Sequence, residues 1–280
     1  MEDDCAFPLK SRYVFLALLF ASIIFVILSA SLNLHLYWQG AADGMLFYLV
    51  AGMLLAALIV WRSIPLMAAM QDPSWTDYIA GFKLSLFSVL FSIAAVYVFY
   101  YPLSFWLPDW VSNQLLEGPD ITYDYRDGDS FVPNTLSFAA IVVLAPIVEE
   151  IVFRFLLLHR WADKWGGLGA AIGSSVLFAG LHTDVIGSLM FGLCMCALYI
   201  KTGTLFAPIF CHMCNNLLAW LYSYGAMVLS DLDQPYTLQD FQSEWYIGVT
   251  CGVIALAWAY RFLSQQPAYT SILSEQLPMR

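Results

Sequence analysis

Three short polar motifs interrupt a largely apolar sequence: Glu149-Glu150-Ile151-Val152-Phe153-Arg154, Phe178-Ala179-Gly180-Leu181-His182 and His212-Met213-Cys214-Asn215-Asn216. In each, two groups stand four residues apart, and on a helix such residues share a face. Glu150 therefore stacks over Arg154, and the pair neutralises itself. Glu149 is turned about 100° away and stays free to react. A carboxylate held in a low-dielectric pocket becomes a stronger base, and an imidazole beside it can hold or relay a proton of the same water. A second imidazole and an amide are donors suited to a tetrahedral oxyanion, an effect worth about 3–4 kcal/mol. Water attack on an amide bond follows from such a set, with Glu150 and Arg154 holding the helix in place. Asn215 competes with Asn216 for the polar face, and the i+4 spacing from His212 favours Asn216.

The elements that must position these groups are membrane helices. Hydrophobic residues make up 61% of the 280 and charged residues only 11%, with a mean hydropathy of +0.71, more apolar than a soluble domain can hide. Stretches of roughly 20 apolar residues predict eight spans in an all-α, polytopic bundle: Tyr13–Ser31, Met45–Trp61, Leu84–Phe105, Leu136–Leu158, Leu168–Leu181, Val185–Ile200, Leu205–Leu229 and Trp245–Leu263. The fifth and sixth are short enough to read also as one re-entrant pair. An ionisable side chain at a helix centre costs about 2.5–3.5 kcal/mol, so Glu149, Glu150 and Arg154 mark function by default. Pro146 removes a backbone hydrogen bond just upstream and is expected to kink the fourth span.

Cations orient the bundle. With both termini cytoplasmic, Lys10, Arg12, Arg62, Lys83, Arg160, Lys164, Lys201, Arg261 and Arg280 all fall inside, and of the 11 cations only Arg126 lies outside and Arg154 within a span. Asp109, Glu117, Asp120, Asp124, Asp127 and Asp129 make residues 108–134 an acidic external loop, and Ser230–Glu244 is a second one. The net charge of −10 is thus mostly an outer-face property, with no sign of nucleic-acid binding. The first apolar run reads as a retained span because no small-residue cleavage site follows it. Rises of 1.5 Å per residue place Glu149 roughly 20 Å below the outer end of its span, with His212 roughly 10 Å and Asn216 roughly 16 Å above the inner end of theirs. These depths agree. His182 fits less well, near the outer end of its short span.

Competing chemistries leave weaker traces. Glu149, His182 and His212 form a two-His, one-carboxylate set that zinc accepts, but no His-Glu-x-x-His motif occurs, and no cofactor is expected. Cys211-His212-Met213-Cys214 and Cys194-Met195-Cys196 invite a soft-metal reading, yet cysteine in a membrane helix is usually a small apolar filler. Intramembrane Glu, Arg and His also line ion or proton pathways, a reading that leaves the second and third motifs unexplained. Gly-x-Gly-Asp is absent, and Ser174 and Ser175 lie on the helix of His182, whereas a serine–histidine pair of the rhomboid type joins two helices. His35, beside Tyr37 and Trp38, reads as an interfacial residue, and His159 with Arg160 as cations at a helix C-terminus.

In that order and on separate spans, Glu149-Glu150-x-x-x-Arg154, Phe178-x-x-x-His182 and His212-x-x-x-Asn216 resemble the CAAX protease and bacteriocin-processing (CPBP) family of intramembrane glutamic proteases. The resemblance covers roughly residues 136–220, within a single membrane domain spanning 1–280. It implies Glu149 as catalytic base assisted by His182, and His212 with Asn216 as the oxyanion site. It further implies an endopeptidase in the cell membrane, acting on membrane-anchored or membrane-associated proteins within the bilayer, by CAAX-type or sorting-signal processing. The alternatives are an immunity or scaffold protein that keeps the fold without activity, and an ion- or proton-coupled transporter. One departure stands out: Phe155 follows the arginine where the family often has a small residue.

Overall fold

The computed structural model describes residues 7–33, 40–116, 121–123, 130–229 and 236–264, and these are mostly helical with no strand among them. The long helices are α1 (Ser11–Leu32), α2 (Ala41–Trp61), α4 (Trp75–Trp106), α8 (Leu158–Ala179), α9 (Val185–Thr202), α10 (Phe206–Leu229) and α12 (Trp245–Ser264). Short helices α3 (Leu66–Ala69), α5 (Pro108–Leu115) and α11 (Leu238–Ser243) lie in the connections. Each of the eight expected spans is helical. Four helices, α1, α2, α4 and α9, are long and apolar enough by themselves to cross a membrane.

The fourth and fifth spans are not separated by a loop. A helical run passes through α6 (Phe131–Phe138), a π-helical segment π1 (Ala139–Leu144), α7 (Ala145–Glu150) and a second π segment π2 (Ile151–Leu157) into α8. It breaks only at Gly166, whose φ of +73° is a conformation glycine adopts without steric penalty. His159 therefore does not cap a helix end, as the sequence reading had it. It is buried, its Nε2 lies 2.9 Å from the Tyr199 hydroxyl, and Phe7 stacks on its ring. Arg160 pairs at 3.8 Å with Asp163 one turn on. The unusual Phe155 is fully buried against Phe7 and His159.

Pro146 lies just past the first π segment, where the Ala145 N–H donates to the Ala140 carbonyl. In π geometry the carbonyl of residue i accepts from the N–H of i+5, and for Ile141 that partner is the proline, which has none. The orphaned oxygen needs another donor. The expected kink is thus realised as π1 followed by α7, with Pro146 in the first turn of α7.

Packing centres on this run. Phe155, Leu156, Leu157 and Leu158 are all fully buried, walled by α1, α2, α9 and α10. The α8–α9 hairpin closes tightly because Gly192 faces Ser175, where an added Cβ would come within 2.9 Å of the serine Cβ. Asp184 starts α9 by accepting from the Gly187 N–H at 2.9 Å, and Tyr100 of α4 donates to the Thr183 carbonyl. Leu19, Val26, Val98, Val253 and Leu256 are exposed, an apolar outer surface suited to lipid.

The acidic segments are partly helical, since α5 and the start of α6 fall inside 108–134 and α11 inside Ser230–Glu244. In α11 a capping box joins Thr237 and Asp240, and the Thr237 hydroxyl and N–H hold the Asp240 carboxyl below the usual range. Cys5, His35, Tyr37, Trp38, Glu117, Asp120, Asp124, Arg126, Asp127, Asp129 and Arg280 lie outside the described residues. The five described cysteines are free thiols.

Candidate active site

Glu149 and Glu150 close α7, between the two π segments, and their environments differ sharply. Glu150 is 0% exposed, and its Oε1 accepts from Arg154 Nη1 at 2.9 Å and lies 2.8 Å from His212 Nδ1. Arg154 is 1% exposed, and its guanidinium lies 4.7 Å over the Phe178 ring. Glu150 Oε2 and Arg154 Nε and Nη2 are buried with no hydrogen-bond partner among the described residues. The ion pair read from the i+4 spacing is therefore present, and it has a third member from α10.

Glu149 is 16% exposed at its side chain, and its Oε2 stands 3.8 Å from His212 Nε2. It is not free, as the sequence reading supposed. The Tyr48 hydroxyl, from α2, donates to its Oε1 at 2.8 Å. His212 thus stands between two carboxylates, Nδ1 toward Glu150 and Nε2 toward Glu149. A carboxylate can only accept, so Nδ1 carries the proton it shares with Glu150. Nε2 is then an acceptor in the neutral ring and a donor in the imidazolium.

Asn216, one turn along α10, donates from Nδ2 to the Ile141 carbonyl at 2.9 Å. That is the oxygen Pro146 leaves unpaired, so the proline just upstream of the first motif and the amide of the third are structurally linked. Asn215 supports this amide, its Nδ2 lying 3.4 Å from Asn216 Oδ1.

His182 sits in the turn after α8. Its Nδ1 lies 2.8 Å from the Phe178 carbonyl, so Nδ1 is the donor and Nε2 the open acceptor. Its ring stacks on Phe178 at 4.3 Å, and Phe178 in turn touches Arg154, Phe153 and His212. Phe178 is thus the spacer joining the second motif to the other two. Burial pushes the neighbouring Asp184 carboxyl up, opposed by the Gly187 N–H, the Ser92 hydroxyl and His182. Glu149, Glu150, Arg154, Phe178, His212 and Asn216 come together directly; His182 joins through the Phe178 stack. No three His, Cys, Asp or Glu side chains among the described residues are grouped to hold a metal ion, so the Glu149, His182 and His212 set does not converge as zinc ligands.

Sequence reasoning missed two walls of this site. Phe191 of α9 packs edge-on against His212 at 4.8 Å, and its position resembled any core aromatic. Tyr48 left a fainter signal. It stands seven residues inside α2, about 10 Å deep, below the interfacial belt where tyrosine is common.

Residues 131–218 match the family described as Type II CAAX prenyl endopeptidase Rce1-like. The part of the chain that carries the polar motifs is thus similar to that family. A Bacillus subtilis (strain 168) protein named "Putative membrane peptidase YdiL" is 32% identical over 77 residues, 26% of this chain and 32% of the relative. The chain thus matches about a third of that relative's length. No solved structure matches. The matched segment contains all three polar motifs, and the chain is an integral membrane protein; Tyr48 lies outside the matched segment.

Proposed function

We propose that this chain is a multi-pass intramembrane endopeptidase of the CPBP type, cleaving membrane-associated protein substrates with water activated by Glu149. The observation that carries the reading is the facing pair Glu149 Oε2 and His212 Nε2, 3.8 Å apart. A water 2.8 Å from each atom subtends an angle of roughly 85° at its oxygen, which is open enough for two hydrogen bonds.

Glu149 Oε2 takes a proton from this water as its oxygen bonds to the scissile carbonyl carbon. His212 as imidazolium donates Nε2–H to the oxygen that gains charge. In that state Glu149, Glu150, Arg154 and His212 sum to zero charge, the favoured count in a low-dielectric site. Asn216 has a second N–H beyond the one given to Ile141 and supplies it to the same oxyanion. Collapse of the intermediate breaks the C–N bond, and the protonated Glu149 gives its proton to the leaving amine. His182, held outside direct reach of Glu149 by the Phe178 stack, presents Nε2 as an acceptor for a relayed proton. None of these steps requires a metal ion. Its substrates are proteins anchored in or held at the cell membrane, with both chain termini cytoplasmic.

The test is a quantitative comparison of membrane-protein termini in cells lacking the chain and complemented with wild type or with Glu149→Gln. New termini are expected with wild type alone. Equal termini with Glu149→Gln, at equal membrane abundance, remove the base assignment.

A further inference from the structure

We infer that Tyr48 is a positioning residue for the reactive carboxylate: its hydroxyl fixes Glu149 Oε1 and so aims Oε2 at His212. This rests on Glu149 as the base and adds to it a residue from outside the segment that matches the family.

The terminal torsion of a glutamate is broad and nearly two-fold, so its oxygens exchange unless something tells them apart. For Glu149, among the described residues, that is the Tyr48 hydroxyl, 2.8 Å from Oε1. The groups facing this carboxylate are Tyr48 from α2 and His212 from α10, with Glu150 and Arg154 adjoining on its own helix. The two adjacent glutamates are thereby given opposite chemistry. Glu150 receives a guanidinium and an imidazole on one oxygen, which spend its charge on structure. Glu149 receives a neutral phenol, which orients without neutralising. The phenol is itself braced, because Tyr48 packs on Phe47 at 5.3 Å and Phe47 on Phe25 of α1 at 5.8 Å. Helices α1 and α2 therefore act on the chemistry through one hydrogen bond.

Tyr48→Phe removes the hydroxyl and keeps the ring. Infrared spectra of the full chain in micelles, edited with ¹³C-glutamate, identify the Glu149 carboxyl band by its loss in Glu149→Gln. That band is expected to shift in Tyr48→Phe, and the substrate termini found above to appear about ten-fold more slowly at equal membrane abundance. Tyr260→Phe, which removes an exposed phenol on α12, is the control; it should leave both readouts at the parental value. An unshifted band in Tyr48→Phe, an equal shift in Tyr260→Phe, or a shifted band with parental rate overturns the assignment. Failure of the underlying reading looks different: termini that persist in Glu149→Gln remove the base itself, whereas an unshifted band with Glu149→Gln inactive removes only Tyr48.

Discussion

Replacing Glu150 by leucine should destabilise the protein more than replacing Glu150 and Arg154 together. The single change strands a guanidinium that is 1% exposed and cannot escape by losing its proton. Breaking one side of a buried pair costs about 3–5 kcal/mol, and His212 Nδ1, which loses its acceptor, adds about 1–3 kcal/mol. In Glu150→Leu/Arg154→Met the first cost disappears, because apolar side chains of similar volume replace a buried pair with neutral or favourable effect. Only the histidine donor stays unpaired. The double variant is therefore expected to be about 3 kcal/mol more stable than Glu150→Leu alone. Unfolding in mixed micelles titrated with dodecyl sulfate, followed by fluorescence of the ten tryptophans, measures the difference. Because arginine stays charged throughout, the rescue should be the same at pH 7 and pH 9. A double variant less stable than the single would refute the reasoning, since it would mean that Arg154 stabilises through packing on Phe178 and not through its charge partner.

Three further outcomes follow from the geometry. Asn216→Ala should lower kcat by about 10²–10³ with KM little changed, and should destabilise by about 1–3 kcal/mol by leaving the Ile141 carbonyl unpaired; a detergent melt and steady-state kinetics read the two effects separately. Cleavage should survive a membrane-permeant zinc chelator, and loss of activity restored by added zinc would contradict the metal-free mechanism. With native cysteines replaced, a cysteine at Gln239 should react with an impermeant thiol reagent in intact cells and one at Lys164 should not; the reverse pattern inverts the topology.

Much of this protein was legible in its sequence because helix geometry is local. The apolar stretches mark helical segments, and the i+4 spacing of Glu150 and Arg154 places them on one face whatever surrounds them. Pro146 announced a disturbance for the same reason: a missing N–H is a property of the residue. Its form was not local. Whether the chain kinks, or winds as π-helix and leaves Ile141 unpaired, depends on a donor from elsewhere, and Asn216 is 75 residues away in sequence. The same limit explains His159. A polar residue before Gly166 reads as a helix end until Tyr199 and Phe7 are seen to bury it. The partners that Glu149 and Glu150 take beyond Arg154 belong to the tertiary structure as well. The two residues are identical and adjacent, and nothing in their own helix decides which takes His212 Nδ1 and which takes Tyr48. Packing of α2 on one side and α10 on the other decides it, because hydrogen bonds act over about 3 Å and only the fold brings those helices that close.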